Sequence, residues 1–457
     1  MKRNHLKTLN NWLLKPNRKP LILRGARQVG KSTLVRLFAQ EAQRPLLEVN
    51  LERFPDLREV FAQKDPEKIL NLLEALPRVG SITPDTILFL DEIQAVPEAI
   101  PALRYFYEDM PDLAIIAAGS LLEFVLTDHH FSMPVGRVEY LHMGPMNFTE
   151  FLDALGEAKL ASYIAEFEMG HEINPLVHNR ILSLLRTYYF VGGMPESVKT
   201  YAASRRLKDV TEIHNSVIET YREDFPKYIG SRSLARIQSV YNFAARNIGK
   251  KVKYSHFSGD EKGATIKADI ELLCQARVIS KVTHSHCTGL PLQADMEERI
   301  YKLIFLDVGL MNAISGLSWS VISRMDDDRL INEGAIAEQF VGQHLLDVLS
   351  DTTNRSLTYW LRKGRSANAE LDYVIALSGH VIPVEVKAGA TGSLKSLHQF
   401  VGEKGVRHAI RFDTGLPSTQ AVTTSILRKG STTPVTYTLI SLPLYLVERL
   451  GSLLAEP

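Results

Sequence analysis

Two short stretches carry residues whose types and spacing can do chemistry. Residues 25–32 read GARQVGKS and fit G-x-x-x-x-G-K-[ST], with an apolar run before them at 21–23 and a helix-like stretch after them at 33–42. A backbone running from Gly25 through Ala26, Arg27, Gln28, Val29 and Gly30 to Thr33 can curl its N–H groups around a phosphate chain. Lys31 can then bridge the terminal phosphates, and the Ser32 hydroxyl can hold Mg2+ at the helix N-terminus. Residues 371–389, LDYVIALSGHVIPVEVKAG, hold Asp372, Glu385 and Lys387 inside two apolar runs. A two-residue turn at Ser378 and Gly379 pairs Leu377 with His380 and sets Asp372 directly opposite Glu385. The period of two then puts Glu370, Asp372, Glu385 and Lys387 on one face. Opposed carboxylates with β-carbons about 5 Å apart repel. A divalent ion, Mg2+ or Mn2+, between them would remove that cost, polarise a phosphodiester and activate a water, with Lys387 stabilising the developing charge. The competing reading is a cross-strand salt-bridge ladder on a solvated face.

The elements around the first stretch suit it. Residues 86–94, TILFLDEIQ, form an apolar run ending in two acids, the form of a buried parallel strand. Asp91 would hold Mg2+ through water and Glu92 would orient an attacking water; alternatively the acids cap the next helix. Residues 113–120, LAIIAAGS, are a second buried strand, and Ser120 either senses a γ-phosphate or belongs to a turn. Strands near 21, 46, 86, 114 and 138 alternating with helices predict a parallel sheet with helices on both faces.

Taken together, RGARQVGKST, FLDEIQ, AAGS and GRVEYLHMGPMNFTEF resemble the AAA-type P-loop ATPases, and one prokaryotic branch of them whose members carry a C-terminal domain of unassigned function. That resemblance implies binding and hydrolysis of ATP with Mg2+. It also implies an arginine finger at Arg137 that reaches a neighbouring subunit, and therefore a homo-oligomer. A salt bridge from Arg137 to Glu139 or Asp128 is the alternative. Asp372 and Glu385-Val386-Lys387 resemble the PD-(D/E)xK nuclease superfamily, whose members often add an acid from a preceding helix; Glu338 is the position that matches here. The third possibility is a nuclease-like fold that has lost its activity and docks a partner under ATP control.

Between these ends, 151–247 has helical spacing, with a break at Gly192-Gly193-Met194-Pro195, and is expected to contain a lid. Residues 250–310 have the layout of a winged helix, with wing strands at VISKVTHSH and KLIFLDVG. Its second helix offers Thr265 and Lys267 but also Asp269 and Glu271, so DNA contact and an interdomain scaffold both stand as readings. The expected organisation is α/β: an AAA-type P-loop domain over 1–150, a helical lid or linker over 151–245, a winged helix over 246–320 and a restriction-endonuclease-like domain over 330–457.

The bulk properties agree with that division. A chain of 457 residues with 45% hydrophobic and 23% charged residues exceeds a single core, and a net charge of +1 gives no global signature for nucleic acid or membrane. The apolar stretches are too interrupted to span a bilayer and the first twenty residues lack a signal-peptide core, which leads to the expectation of a cytoplasmic protein without a membrane partner. Two cysteines, Cys274 and Cys287, suit buried thiols.

Overall fold

The structure is a computed structural model that describes residues 1–76, 82–119, 122, 134, 136–227, 233–253, 263–317, 334–349, 356–362, 369–389, 392–428 and 431–454. It contains two compact units, Met1–Met146 with Gln275–Arg277, and Asn147–Cys274 with Val278–Pro457.

In the first unit five strands, β1 (Leu21–Arg24), β2 (Leu46–Asn50), β3 (Ile87–Asp91), β4 (Ala114–Ala118) and β5 (Glu139–His142), run parallel in the order β2-β3-β4-β1-β5. β3 and β4 are buried along their whole length, as strands covered on both faces must be. Leu88, Leu90 and Ile115 pack with Leu57, Phe61, Ile69, Leu103 and Phe106 from the helices of one face. The helix Lys31–Glu41 lies against β3 and β4 and buries Leu34, Val35 and Phe38.

The second unit is built on an eight-stranded mixed sheet. Its strands are β6 (Ile279–Ser285), β7 (Met296–Phe305), β8 (Leu357–Arg362), β9 (Ala369–Leu377), β10 (His380–Val386), β11 (His408–Asp413), β12 (Ser418–Arg428) and β13 (Ser431–Pro443), in the order β12-β13-β11-β10-β9-β8-β6-β7. The strands expected as the wing, β6 and β7, pair antiparallel with each other, and β6 also pairs in parallel with β8. Residues 246–320 and 330–457 therefore share one sheet. Non-local pairing of this kind leaves no mark on local periodicity. Residues 254–262, expected to begin the winged helix, lie outside the described residues. Asp269, on the expected recognition helix, is fully buried and pairs with Arg236 of the helix Leu234–Arg246.

Helices cover both faces of this sheet. Gly334–Val348 is keyed in place by Gln339, whose side chain accepts from the Phe305 N–H and donates to the Phe305 carbonyl, both at 2.7 Å, and by Gln343, which accepts from the Val308 N–H at 2.9 Å. Gly342 allows the close approach, since a β-carbon there would stand 2.3 Å from the Tyr373 hydroxyl oxygen. On the other face the helix Lys395–Lys404 buries Leu397, Phe400 and Val401 with Trp360, Leu371 and Tyr437.

The helices of 151–245, expected as a lid, bury their aromatic side chains within this second unit. Tyr188 and Tyr189 of the helix Pro175–Val191 sit edge-on to Phe340, with ring centroids 5.8 and 5.4 Å apart. The double-glycine break is held by Asp307, whose carboxylate accepts from the Gly193 N–H at 2.6 Å. Among the described residues no helix is long and apolar enough to cross a membrane.

Candidate functional site

The phosphate-binding loop joins β1 to the helix Lys31–Glu41, and its shape follows from residues that tolerate unusual backbone. Gln28 and Gly30 take left-handed φ values of 63° and 94°. A β-carbon at Gly25 would meet the Met143 carbonyl oxygen at 2.2 Å, so only glycine fits beside the end of β5. Behind the loop, the buried Arg3 guanidinium donates to the Val29 carbonyl at 2.9 Å and to the Gly144 carbonyl at 2.8 Å. Ala26 and Val29 are buried and Thr33 is exposed on the first turn of the helix.

Within this frame Lys31 Nζ donates to the carbonyls of Gly25 (3.0 Å) and Ala26 (2.8 Å). Burial lowers its ammonium to about 8, against the pull of Glu92 and Asp91. Ser32 Oγ donates to Asp91 Oδ2 at 2.8 Å, joining the hydroxyl and the carboxylate that a phosphate-bound Mg2+ requires. Burial raises the Asp91 carboxyl, and the hydrogen bond from Ser32 opposes that shift. Glu92 has a left-handed backbone (φ 51°), and its carboxylate accepts from Gln94 Nε2 at 2.5 Å. Gln94 was not singled out from the sequence; it lies against the end of β4, where a β-carbon on Gly119 would meet its Oε1 at 2.1 Å. Arg137 is exposed, pairs with Glu108 at 3.0 Å rather than with Glu139, and lies over the Tyr107 ring. Ser120 and Asp128 lie outside the described residues.

Residues 17–152 match the family described as an AAA domain. The N-terminal unit carries an AAA-type P-loop ATPase domain. The chain is accordingly an ATPase, and an AAA domain uses ATP with Mg2+. Beyond the AAA domain, residues 182–321 and 333–423 match two families described as domains of unknown function, DUF8612 and DUF4143. No curated protein matches the chain. Similar solved structures include the Walker-type ATPase PABY2304 of Pyrococcus abyssi (16% identity, 69% of this chain and 95% of that one, TM-score 0.41). They also include the Thermotoga maritima RuvB Holliday junction branch migration motor (17%, 62% and 90%, 0.29) and the Aeropyrum pernix ORC2 protein (11%, 70% and 93%, 0.33). The AAA assignment rests on the domain match and on the loop geometry above.

A second constellation sits in the unit that follows the AAA domain, on the face of the sheet covered by Gly334–Val348. The hairpin turns at Ser378 and Gly379, both with positive φ (48° and 76°), and pairs regularly from His380–Leu377 to Val384–Tyr373. Beyond that point β9 is bulged. Thr358 pairs with Val374 and Trp360 with Leu371, so two steps on β8 span three on β9. At the bulge, Tyr373 donates to the Glu338 carbonyl of the covering helix at 2.8 Å, and Asp372 Oδ2 accepts from the Val386 N–H of β10 at 2.7 Å. Asp372 and Glu385 come together here through a side chain, past the end of the regular ladder.

At the centre is a residue that sequence reasoning missed. Lys302 of β7, 1% exposed, lies with Nζ 2.7 Å from Glu370 Oε1, 3.1 Å from Glu338 Oε1 and 4.0 Å from Asp372 Oδ1. Burial on its own would lower its pKa, but the charges of Glu338, Asp372 and Glu370 together outweigh burial and raise it. The available signal was a lysine at an inward position in the apolar run IYKLIF. Lys387 Nζ donates to Glu385 Oε1 at 2.5 Å, while Glu385 Oε2 is buried with no hydrogen-bond partner among the described residues. Burial raises Glu338 and Glu385 to about 7 each and raises Asp372 as well.

These residues fit a divalent ion at one end of the cluster only. The unpartnered Glu385 Oε2 beside Asp372 is an available ligand pair, and four carboxylates against two ammonium groups leave two negative charges when all are ionised. Glu338, expected as a third ligand, is instead held by Lys302, and a β-carbon on Gly249 would stand 2.2 Å from its other oxygen. Of the neighbouring helix, Ser396 Oγ accepts from the Glu370 N–H at 3.3 Å, Gln399 donates to Glu403 and Lys395 is exposed.

Proposed function

We propose that ATP hydrolysis in the AAA domain is coupled to work done through a divalent-ion site on the second sheet. The hydrogen bond from Ser32 Oγ to Asp91 Oδ2 at 2.8 Å supports the first half, since the two groups that must share Mg2+ already meet. In this reading Lys31 binds the terminal phosphates and Glu92 takes the proton of the attacking water, released from Gln94 when nucleotide arrives. Arg137 completes a neighbouring subunit's site in a homo-oligomer. Wild-type protein that fails to bind ATP in the presence of Mg2+ would overturn this half.

For the second sheet, the buried Glu385 Oε2 beside Asp372 supports a cation site for phosphodiester cleavage in nucleic acid. The ion would supply charge for the scissile phosphate, with Asp372 and Glu385 as its protein ligands and Lys387 aimed at the developing charge. Nicking of supercoiled DNA in Mn2+ or Mg2+, lost in Lys387→Ala, is the expected result. Equal cleavage by that variant would assign the activity to a contaminant. One observation favours a second reading, an ATP-controlled docking module that cuts nothing: Lys302 already lies within ion-pair distance of three of the four carboxylates. That reading expects partner capture that responds to nucleotide and is unchanged in Asp372→Asn.

A further inference from the structure

On the other edge of the second sheet, β6 and β7 carry a donor set that neither half of the proposed function uses. One ligand atom from each of His284, His286 and Glu297 can be chosen so that all three lie within 4.8 Å of one another. The two imidazole rings sit 4.9 Å apart between centroids, as expected for positions two apart along an extended chain.

The third member is there because the ladder is broken. Thr283 pairs with Tyr301 but His284 pairs with Glu297, so one step on β6 spans four on β7. Unbroken pairing would set Ile300 opposite His284, and the bulge replaces that aliphatic side chain with a carboxylate. Bulges that re-aim a side chain in this way recur beside functional sites. His284 is buried and oriented against the Tyr359 ring at 5.7 Å, while His286 is exposed. Both histidines line an open cleft of about 280 Å³ that also includes Trp360, Arg362 and Lys404.

We propose that His284, His286 and Glu297 bind a first-row divalent transition-metal ion, with Zn2+ the best fit, and that a remaining coordination position faces this cleft. Two imidazoles and a carboxylate suit zinc and its neighbours better than Mg2+ or Ca2+, which take oxygen sets. Three protein ligands beside a cleft are the arrangement that leaves a position for water or an anion; Lys404 lines the cleft with Arg362, which is paired with Glu403 at 2.9 Å. Cys287 is not a fourth ligand: its thiol donates to the Ser285 carbonyl at 3.4 Å.

Full-length protein stripped with a chelator and titrated with Zn2+ tests the assignment. One equivalent is expected to bind in wild type and in the Asp372→Asn/Glu385→Gln double variant, and to be lost in His286→Ala and in Glu297→Gln. With Co2+ as probe, the visible ligand-field absorption should vanish in the same two variants. His286 is exposed, so a metal-free thermal midpoint equal to wild type separates ligand loss from misfolding. Absence of saturable Zn2+ binding in wild type, retention of the equivalent in His286→Ala, or its loss in the Asp372 and Glu385 double variant instead would each overturn the proposal.

Discussion

Lys302 Nζ lies 3.1 Å from Glu338 Oε1, joining a strand and a helix that are far apart in sequence through a buried ion pair. Two further carboxylates share the same ammonium, so the lysine stands where a cation would otherwise be drawn in. Lysine buried to this degree is retained only when its partners compensate for lost hydration.

Removing it should therefore be costly. Lys302→Met is expected to destabilise the second unit by about 3–5 kcal/mol, because Glu338 would be left buried without its counter-charge. Urea denaturation measures this. The same variant should bind Mn2+ more tightly than wild type, read by electron paramagnetic resonance titration, and Mn2+ should return part of the lost stability. Unchanged stability would mean that the lysine carries no structural load.

At the nucleotide site the roles of neighbouring residues separate kinetically. Glu92→Gln should keep ATP binding in Mg2+ and lose about 10²–10⁴ in turnover, the usual contribution of a positioned base. Lys31→Ala should lose both nucleotide affinity and hydrolysis. A steady-state ATPase assay beside a fluorescent-nucleotide binding assay distinguishes the two, and a Glu92→Gln protein as active as wild type would remove that residue from the mechanism.

Arg137, exposed and held by Glu108, offers a test of assembly. Arg137→Ala should bind ATP normally and hydrolyse it slowly. Mixed with Lys31→Ala protein, which is inactive but keeps its arginine, it should regain activity if the guanidinium acts on a neighbour. Slow hydrolysis that mixing does not improve would confine Arg137 to its pairing with Glu108.

A pH dependence follows from Glu448, which accepts hydrogen bonds from the Thr149 N–H (3.1 Å) and hydroxyl (2.6 Å) and is pushed up by burial to about 8. Its folded pKa lies above the unfolded value near about 4.5, so the stability it contributes is full at low pH and is lost as pH rises through about 8. Subtracting the Glu448→Gln unfolding free energy from that of wild type should give a difference that declines from pH 5 to pH 8, the opposite of a salt-bridged acid. A flat difference would show that the carboxyl titrates alike in both states.

Much of the chemistry was legible locally, and the remainder depended on tertiary pairing. GARQVGKS and FLDEIQ each sit within one strand-loop or loop-helix step, so pattern alone singled out Lys31, Ser32, Asp91 and Glu92, side chains that the fold brings together. Turn chemistry at Ser378 and Gly379 gave the hairpin register, because only a tight turn relates those two strands. The bulge at Asp372 and Tyr373 was hidden, since it is defined against β8 and not within β9. Lys302 was hidden for a related reason: the carboxylates it pairs with are brought near by the fold and not by its own segment. The wing strands were found as strands and pair with each other, but the further parallel partner of β6 at β8 was hidden, because nothing in VISKVTHSH announces it.

That last pairing bears on how the chain can be divided. A fragment beginning at residue 330 would leave β8 without β6, with a row of unpaired amides and carbonyls along a strand buried over LTYWL. Such a raw margin is a template for joining other chains. Transplanting the last third as a portable module should therefore yield inclusion bodies, whereas a fragment that starts before the helix Phe148–Ala154 carries its own edge protection.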